Sequence, residues 1–408
     1  MVNSKFDNRI MDIYEKSIQL HKKKKGKLEV VSKVPLRTKE DLSLVYTPGV
    51  AGVSKEIALD SSKAYDLTIK NNSVAIISDG SAVLGLGNIG PYAAIPVMEG
   101  KAILFKEYAG IDAFPITVQT QNPFEIINLV KNIIPVFGGV NLEDIAAPRC
   151  FEIEDALQDV GIPVFHDDQH GTAIVLLAAL INSSKLAGKK LTELKVVING
   201  AGAAGTAIAN LLLCVGHDPK ICEPVKEIIV CDSGGIIHTA RPDIQNNAWK
   251  MRLASITNRD NKTGTLQEAL IGADVFIGVS TANVLKPSWI KKMADKSIIL
   301  AMANPIPEIM PDIAKKAGAF IVGTGRSDFP NQVNNVLAFP GVFRGALDAR
   351  AKVITNHMKI LAAFALAKSV DNPTVDVILP SPLDKTVAPA IARAVKKAYQ
   401  EDLDLGMT

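Results

Sequence analysis

The sequence predicts an α/β protein with two domains. Its 408 residues are too many for one hydrophobic core, and a composition of 48% hydrophobic and 21% charged residues is typical of a globular protein. From about residue 191 onward, short apolar runs alternate with helical segments, which predicts a parallel sheet covered by helices on both faces. The first part of the chain is also mixed α/β but less regular. We therefore expect one domain at residues 1–163 and a second, with the parallel sheet and a closing helix, at residues 164–408.

The individual elements follow from apolar runs and helical periodicity, taken in chain order. In the first domain we expect strands at residues 73–80, 102–105, 112–119 and 134–139, and helices around residues 93–100, 123–131 and 152–160. In the second domain we expect strands at residues 194–200, 227–232, 274–280, 297–305 and 319–325, and a closing helix at residues 383–400. The strands of the second domain end in Gly, Asp, Ser, Asn or Thr. In an open parallel sheet these ends line the ligand crevice.

Charge and composition restrict the possible partners and location. The net charge is +3, from 45 basic and 42 acidic residues, which gives no reason to expect nucleic acid. The run Lys22–Lys25 is either a solvated loop or a phosphate-binding patch. No apolar stretch approaches the ~20 residues that span a membrane, and the N-terminus lacks the apolar core of a signal peptide. The four cysteines form no CxxC pair and fit a reduced, cytoplasmic chain in which they are small core residues: Cys150, Cys214, Cys222 and Cys231.

A glycine-rich segment, GAGAAG at residues 200–205, matches the GxGxxG pattern. It follows a Val/Ile strand and opens an Ala/Leu helix, which is the context that dinucleotide binding requires. In this motif the first glycine permits a tight turn, the second lets the backbone approach pyrophosphate, and the third lets helix and strand pack closely. The pattern indicates a Rossmann-type domain. The expected cofactor-binding residues are Gly200, Gly202, Ala203, Ala204 and Gly205.

Asp232 ends the next predicted strand and could bind the ribose hydroxyls of the dinucleotide. It lies further from Gly205 than the ~20 residues usual for this acid, and the segment GHDPKICEPVKE accounts for the excess. A carboxylate at this position favours NAD. Arg241 lies nearby and could instead bind the 2′-phosphate of NADP, so both nucleotides remain possible.

Two acidic pairs stand at the ends of apolar runs: Asp167 and Asp168 in VFHDDQHG, and Glu143 and Asp144 in FGGVNLED. One acid at the start of a helix is explained by capping, but a second is not. With one predicted helix between them, the two pairs would meet at one edge of a sheet, where crowded carboxylates require a cation. Oxygen ligands without nearby cysteine favour Mg²⁺ or Mn²⁺ over zinc. The alternative is two unrelated surface acid pairs.

Further segments carry a resemblance to a known family. The chain resembles the malic enzymes, in the compact form typical of bacteria, over about Leu44 to Arg350. The matching segments are YTPGVA, SDGSAVLGLGNIG, EGKAILFK, NLEDIAAPRCFEIE, PVFHDDQHGTA, NGAGAAG, ANPIPEI and TGRSDFPNQVNNVLAFPGVFRGALDAR. The resemblance implies oxidative decarboxylation of malate to pyruvate and carbon dioxide, with reduction of NAD(P) and a divalent metal, in an N-terminal catalytic domain joined to the nucleotide-binding domain.

The resemblance also implies roles for particular residues. Tyr46 is similar to the family's proton donor, Lys101 to its general base, and Asp167 to the acid that assists proton transfer. The metal ligands would be Glu143, Asp144 and Asp168. Substrate would be bound by Lys101, Asn304 and Asn335, with Asn304 also near the nicotinamide. For the base role, we expect burial and the adjacent cation to lower the pKa of Lys101.

One departure from the family affects the substrate carboxylate. Larger members carry an arginine in the loop that is DGSAVLGLG here, where this chain has Ser81-Ala82. Arg326 or backbone N–H groups are the remaining candidates for the carboxylate clamp, the group that binds the substrate carboxylate.

Two rival functions remain at this point. A non-redox oxaloacetate decarboxylase would use the same metal chemistry but would not need the GxGxxG segment. A non-catalytic nucleotide sensor would need no Tyr/Lys/acid constellation. We expect a small-molecule substrate, malate, no nucleic acid or membrane partner, and a homodimer or higher homo-oligomer.

Overall fold

The computed structural model of the chain describes residues 2–406, with side chains described from residue 12. The helices are α1 (Val2–Lys24), α2 (Lys39–Val45), α3 (Val50–Leu59), α4 (Ala64–Leu67), α5 (Pro91–Ala109), α6 (Pro123–Ile133), α7 (Arg149–Asp155), α8 (Asp167–Ala187), α9 (Ala203–Leu212), α10 (Ala248–Ile256), α11 (Leu266–Ala269), α12 (Pro287–Ile290), α13 (Pro311–Lys316), α14 (Phe339–Asp348), α15 (Asn356–Lys368) and α16 (Val387–Asp404). The strands are β1 (Ser73–Ser78), β2 (Asp112–Thr117), β3 (Gly139–Leu142), β4 (Val164–His166), β5 (Lys195–Asn199), β6 (Glu227–Asp232), β7 (Gly235–Ile236), β8 (Val275–Gly278), β9 (Ile298–Ala301) and β10 (Ile321–Thr324).

The first sheet has four parallel strands in the order β2-β1-β3-β4. Because parallel strands present their carboxyl ends at one edge, the residues that follow β1, β3 and β4 are brought together there. Strand β4 begins at Val164 and pairs with β3, so the first sheet extends to His166. The domain boundary between residues 163 and 164 stays a prediction.

Two expected strands of the first domain are wrong. Residues 102–105 lie inside α5, because a four-residue apolar run has the same appearance in a buried helix as in a strand. Residues 134–138 form a turn, and the strand begins only at Gly139. Pro135 cannot donate a ladder hydrogen bond, which disfavours a strand across this stretch.

The second sheet has six strands in the order β10-β9-β8-β5-β6-β7. All neighbours are parallel except β7, which is antiparallel to β6. The five strands expected in this part of the chain are present, and the closing helix is α16. The prediction of a Rossmann-type parallel sheet in a two-domain α/β protein is confirmed.

Helix α8 connects the two halves and forms much of the core. It follows β4 of the first sheet and packs against α9 and α15 of the second half. By length and composition alone, α8 is the one helix among residues 2–406 that could cross a membrane, contrary to the expectation that none would qualify. However, 72% of its apolar window is buried inside the protein, as expected of a core helix.

The cysteines differ from the expectation of four reduced thiols. Cys214 and Cys222 form a disulfide, because the chain turns back after α9 and brings their Cα atoms to 5.8 Å. Cys150 and Cys231 are free and buried, as expected of core residues.

Candidate active site

Three carboxylates meet at the carboxyl edge of the first sheet. Glu143 and Asp144 follow β3 directly, and Asp168 lies in the first turn of α8, just after β4. One ligand oxygen from each lies within 4.8 Å of the others. The backbone N–H of Asp144 donates to Oδ2 of Asp168 at 2.8 Å. The strand–helix–strand unit therefore brings the two acidic pairs together, and the alternative of two unrelated surface pairs is wrong.

The environment of this cluster suits a divalent cation. Burial raises the pKa of each carboxyl group, and the charges of Asp168 and Glu143 raise that of Asp144 further. Oδ2 of Asp144 is buried and has no hydrogen-bond partner among the described residues. Clustered, buried carboxylate oxygens with unused lone pairs are the donor set that Mg²⁺ and Mn²⁺ prefer. The three residues therefore fit the predicted metal.

Lys101 lies on α5 and points into the same cluster, with only 7% of its side chain exposed. Its Nζ lies 2.5 Å from Oδ2 of Asp167 and 2.7 Å from Oε1 of Glu143. The ammonium also lies 4.1 Å from the centre of the Phe339 ring. Burial lowers the pKa of Lys101, but the charges of Asp167 and Glu143 outweigh burial and raise it above its ordinary value. The expected lowering by burial is therefore present but outweighed by the two carboxylates, and the effect of the adjacent divalent cation stays a prediction.

Asp167 is fully buried beside Lys101. Its Oδ2 also accepts a hydrogen bond from Nδ2 of Asn335 at 2.6 Å. The next turn of α8 carries Gly171, where a Cβ atom would lie 1.8 Å from Oδ1 of Asp167. Glycine is therefore needed to leave room for the carboxylate. Gly171 was not among the predicted site residues, although a glycine at the start of an apolar helix is a signal, since it costs ~1 kcal/mol relative to alanine.

A buried network holds the start of α8 from the other side. Glu154 on α7 accepts hydrogen bonds from the backbone N–H of His166 at 3.0 Å and from Nε2 of Gln169 at 2.8 Å. It also lies 3.0 Å from Nε2 of His170. Burial raises the pKa of Glu154, but His170 and the hydrogen bond between them lower it to about 2. The Glu154 carboxylate therefore positions the turn that carries Asp167 and Asp168. Sequence reasoning missed this residue.

A cavity of about 580 Å³ joins the carboxylates to the second sheet. Its walls include Lys101, Glu143, Asp144 and Asp168 from the first half, and Ala204, Ser280, Asn304 and Asn335 from the second. The structure thus brings together the predicted base, the metal ligands and the two asparagines. Tyr46 is not among the lining residues, and 67% of its surface is exposed.

The glycines of the GAGAAG segment have the geometry that dinucleotide binding requires. Gly200 has φ 128°, and a Cβ atom there would lie 2.5 Å from the carbonyl oxygen of Val279. A Cβ atom at Gly205 would lie 1.8 Å from the carbonyl oxygen of Gly200. At Gly202 a Cβ atom would meet open space, where a pyrophosphate could approach the start of α9. The segment therefore fits a dinucleotide.

Asp232 ends β6, as expected, but its carboxylate is already paired. Arg241 contacts both oxygens, at 2.7 and 2.9 Å, and Nζ of Lys250 lies 2.6 Å from Oδ2. Burial raises the pKa of Asp232, but the hydrogen bonds from Arg241 and Lys250 lower it to about 2. Lys250 was missed because nothing in the local sequence links it to β6. Asp232 therefore pairs with both Arg241 and Lys250, whereas the sequence indicated only Arg241 nearby.

Ser81, which stands in the loop where larger members carry the arginine, and the candidate Arg326 both have other hydrogen-bond partners. Oγ of Ser81 accepts a hydrogen bond from the backbone N–H of Ala146 at 2.8 Å. Arg326 donates to Asp328 and to the carbonyl oxygen of Pro305, and it lines a neighbouring cavity together with Asn304. The assignment of the carboxylate clamp stays a prediction.

Comparison with known proteins agrees with this geometry. Residues 25–158 match the family model described as malic enzyme, N-terminal domain, and residues 169–400 match malic enzyme, NAD binding domain. The bifunctional malic/malolactic enzyme of Bacillus subtilis is 56% identical over 96% of this chain and 94% of its own. The NAD-dependent malic enzyme of Geobacillus stearothermophilus is 54% identical, over 91% of this chain and 76% of its own. The NADP-dependent malic enzyme of Rhizobium meliloti is 48% identical, over 92% of this chain and 50% of its own.

Solved structures give the same result. The crystal structure of the NAD-dependent malic enzyme from Thermotoga maritima superposes with a TM-score of 0.88 at 50% identity, covering 93% of this chain and 98% of its own. The crystal structure of Entamoeba histolytica malic enzyme superposes with a TM-score of 0.90 at 40% identity, covering 96% of this chain and 82% of its own. Both halves of the chain and its overall architecture are thus accounted for. The chain belongs to the malic enzyme family.

Proposed function

We propose how the residues of this malic enzyme share its reaction, the decarboxylation of malate to pyruvate with reduction of NAD or NADP. One observation carries the proposal. A single cavity is lined by a buried lysine, the three-carboxylate cluster and Ala204 of the dinucleotide segment. A malate molecule bound there would lie between the proton-transfer groups and the nicotinamide, which is what hydride transfer followed by loss of carbon dioxide requires.

The carboxylate cluster and the glycine segment would hold the two cofactors of the reaction. Glu143, Asp144 and Asp168 would bind the divalent cation, which when bound supplies Lewis acidity for the ketone and enolate oxygens. The backbone of residues 200–205 would bind the dinucleotide, which supplies the hydride acceptor. Asn304 and Asn335 line the space between these two sites and orient the substrate.

Lys101 and Asp167 act as one proton-transfer unit. A lysine must be neutral to accept the proton of the malate hydroxyl, and the raised pKa keeps Lys101 protonated. The Oδ2 atom of Asp167 lies 2.5 Å from Nζ of Lys101. Asp167 is therefore placed to accept the ammonium proton of Lys101 and leave a neutral amine. A divalent cation bound by Glu143 would also withdraw the charge of that carboxylate from Lys101.

Tyr46 donates the last proton. After carbon dioxide leaves, carbon 3 of the enolate needs a proton to give pyruvate, and a phenol O–H can supply it. This role rests on the motif YTPGVA, and Tyr46 is not among the residues that line the cavity.

Malate turnover with each nucleotide, with and without Mn²⁺, tests the proposal. We expect pyruvate and reduced nucleotide in stoichiometric amounts, and no turnover after chelation. Lactate should be measured too, because the Bacillus subtilis relative is named a malic/malolactic enzyme. Decarboxylation of oxaloacetate without nucleotide-dependent malate turnover would favour the non-redox alternative. Nucleotide binding without any turnover would favour the sensor.

We propose that NAD is preferred over NADP, because the carboxylate of Asp232 can accept hydrogen bonds from the ribose hydroxyls and repels a 2′-phosphate. Arg241 and Lys250 are the counter-evidence, since both could bind that phosphate. We expect a higher kcat/KM with NAD than with NADP. Asp232→Ala should lower the ratio of kcat/KM with NAD to kcat/KM with NADP. Steady-state kinetics with both nucleotides measure this.

The matched control is Asp260→Ala, which removes an exposed carboxylate paired with Lys262. It should leave the nucleotide ratio unchanged. A higher kcat/KM with NADP in the wild type would contradict the NAD preference. An unchanged ratio in Asp232→Ala would make that carboxylate structural.

The predicted cytoplasmic location and homo-oligomeric state remain proposals. The two buried free thiols, Cys150 and Cys231, fit a reducing compartment. The Cys214–Cys222 disulfide is the observation against it.

A further inference from the structure

The charges of the cavity leave malate without enough positive partners. Malate carries two carboxylates, and both are ionised at neutral pH. A divalent cation would leave one of the three clustered carboxylates uncompensated, and the charges of Lys101 and Asp167 cancel. A dianion that enters such a site is repelled unless a further cation faces it. The cavity therefore needs a positive group in addition to the metal and Lys101.

Lys27 is in the position that this argument requires. Among the residues that the structure describes, Lys27 and Lys101 are the lysines and arginines that line the cavity. Nζ of Lys27 lies 3.6 Å from the position that a Cβ atom would take on Gly100, the residue before Lys101. The Lys27 side chain is partly buried. Its ammonium group therefore lies at the cavity wall, close to the predicted general base.

The ammonium group of Lys27 has donors to spare. Its Nζ donates to the carbonyl oxygen of Pro96 at 2.8 Å, and none of the ion pairs within the described part of the chain includes Lys27. Glu99 accepts a hydrogen bond from the backbone N–H of Lys27, at 3.2 Å, and forms no ion pair with its Nζ. A lysine ammonium has three N–H donors. The donors that Pro96 does not use can bind an anion in the cavity.

The local backbone holds Lys27 at this place. Gly26 has φ 101°, a conformation that other residues rarely adopt, and it turns the chain after α1. The bonds to Glu99 and Pro96 then attach Lys27 to α5, the helix that carries Lys101. The two cations are thus positioned by one helix, and little ordering remains to be done when the substrate binds.

The side chains considered earlier for the substrate carboxylate lie elsewhere. Arg326 lines the neighbouring cavity and donates to Asp328 and to the carbonyl oxygen of Pro305. Ser81, in the loop where larger family members carry an arginine, is not among the residues that line the cavity. Lys27 is therefore the side chain on the cavity wall with the charge that a carboxylate requires.

We propose that the ammonium group of Lys27 binds malate through the carboxylate that is retained in pyruvate, and so takes the place of the missing arginine. The other carboxylate leaves as neutral carbon dioxide. A cation paired with it would stabilise the bound substrate but not the transition state of decarboxylation, and would slow that step. The retained carboxylate keeps its charge throughout the reaction. This inference rests on the malate reaction proposed above.

Lys27→Ala is expected to raise KM for malate by ~10–100-fold, the range for one hydrogen bond to a charged group. The change in kcat should be smaller, because the bond is present in both the ground state and the transition state. KM for NAD should stay unchanged. The rise in melting temperature that malate causes in the presence of Mn²⁺ and NADH measures binding without turnover, and this rise should be smaller in the variant.

Three further variants separate the charge of Lys27 from its contact with Pro96. Lys27→Gln keeps an N–H donor for the Pro96 carbonyl but has no charge, so its KM should rise as in Lys27→Ala. Lys27→Arg keeps the charge and should have a KM closer to that of the wild type. Lys33→Ala is the matched control, since Lys33 is an exposed lysine that does not line the cavity. Its KM for malate should not change.

Inhibition by pyruvate shows which carboxylate Lys27 binds. Pyruvate has only the retained carboxylate, so its inhibition constant should rise in Lys27→Ala by about the same factor as KM for malate. An unchanged inhibition constant would overturn the assignment to that carboxylate. An unchanged KM in Lys27→Ala, or a wild-type KM in Lys27→Gln, would overturn the role of the ammonium group. These results leave the proposed reaction standing, whereas a wild type without malate turnover would overturn the reaction and this inference together.

Discussion

Asp168→Ala is expected to abolish malate turnover while NAD(H) binding persists. Asp168 contributes an oxygen to the three-carboxylate cluster and accepts the backbone N–H of Asp144, so its loss removes one ligand and releases a second. None of the described hydrogen bonds joins the glycine segment at residues 200–205 to the carboxylate of Asp168. The substitution should therefore leave the dinucleotide site intact. Steady-state kinetics with added Mn²⁺ and NADH fluorescence titration measure the two effects separately.

Asp159→Ala is the matched control, since Asp159 is an exposed acid that does not line the cavity. It should retain full activity and full metal dependence. Near-normal turnover of Asp168→Ala after exhaustive chelation would refute the metal-ligand assignment.

Lys101→Ala is expected to lower kcat for malate oxidation by ~10²–10⁴-fold, the range typical of a positioned acid–base group. Nζ of Lys101 contacts Asp167 and Glu143 and faces the cavity, and no other lysine or arginine among the described residues contacts Asp167. The loss should appear in kcat and in its pH profile. The substitution also removes the buried ammonium group that pairs with Asp167 and Glu143, and it leaves these two carboxylates without their shared partner. The melting temperature should therefore be measured alongside activity.

Lys106→Ala, on the same helix, is the control for this substitution. Lys106 is exposed and pairs with Asp112, away from the cavity. It should keep wild-type kcat. If Lys101→Ala remained fully active with an unchanged pH profile, Lys101 would have no part in proton transfer.

The strands and helices that carry the site were largely predictable. The GxGxxG segment specifies its own local geometry, because Gly200 needs a positive φ and Gly205 leaves no room for a Cβ atom. Apolar runs of adequate length predicted the strands of the second sheet. The errors at residues 102–105 and 134–139 came from short apolar runs, whose structure depends on the elements packed around them.

The sequence by itself determined the family, the two-domain α/β architecture and the identity of the acids at the strand ends. These properties are local, since strand–turn–helix motifs depend on side chains close together in the chain. It also showed that acids after β3 and β4 would converge, because the topology of a parallel sheet places strand ends at one edge.

Only the tertiary structure decided the properties that depend on contacts between distant segments. It placed Lys101 against Asp167 and Glu143, whose charges raise the pKa of the lysine. It paired Asp232 with Lys250, joined Cys214 to Cys222, and left Tyr46 outside the cavity. Charge, burial and distance act through space, so residues far apart in the chain determine them, and no local pattern records which residues those are.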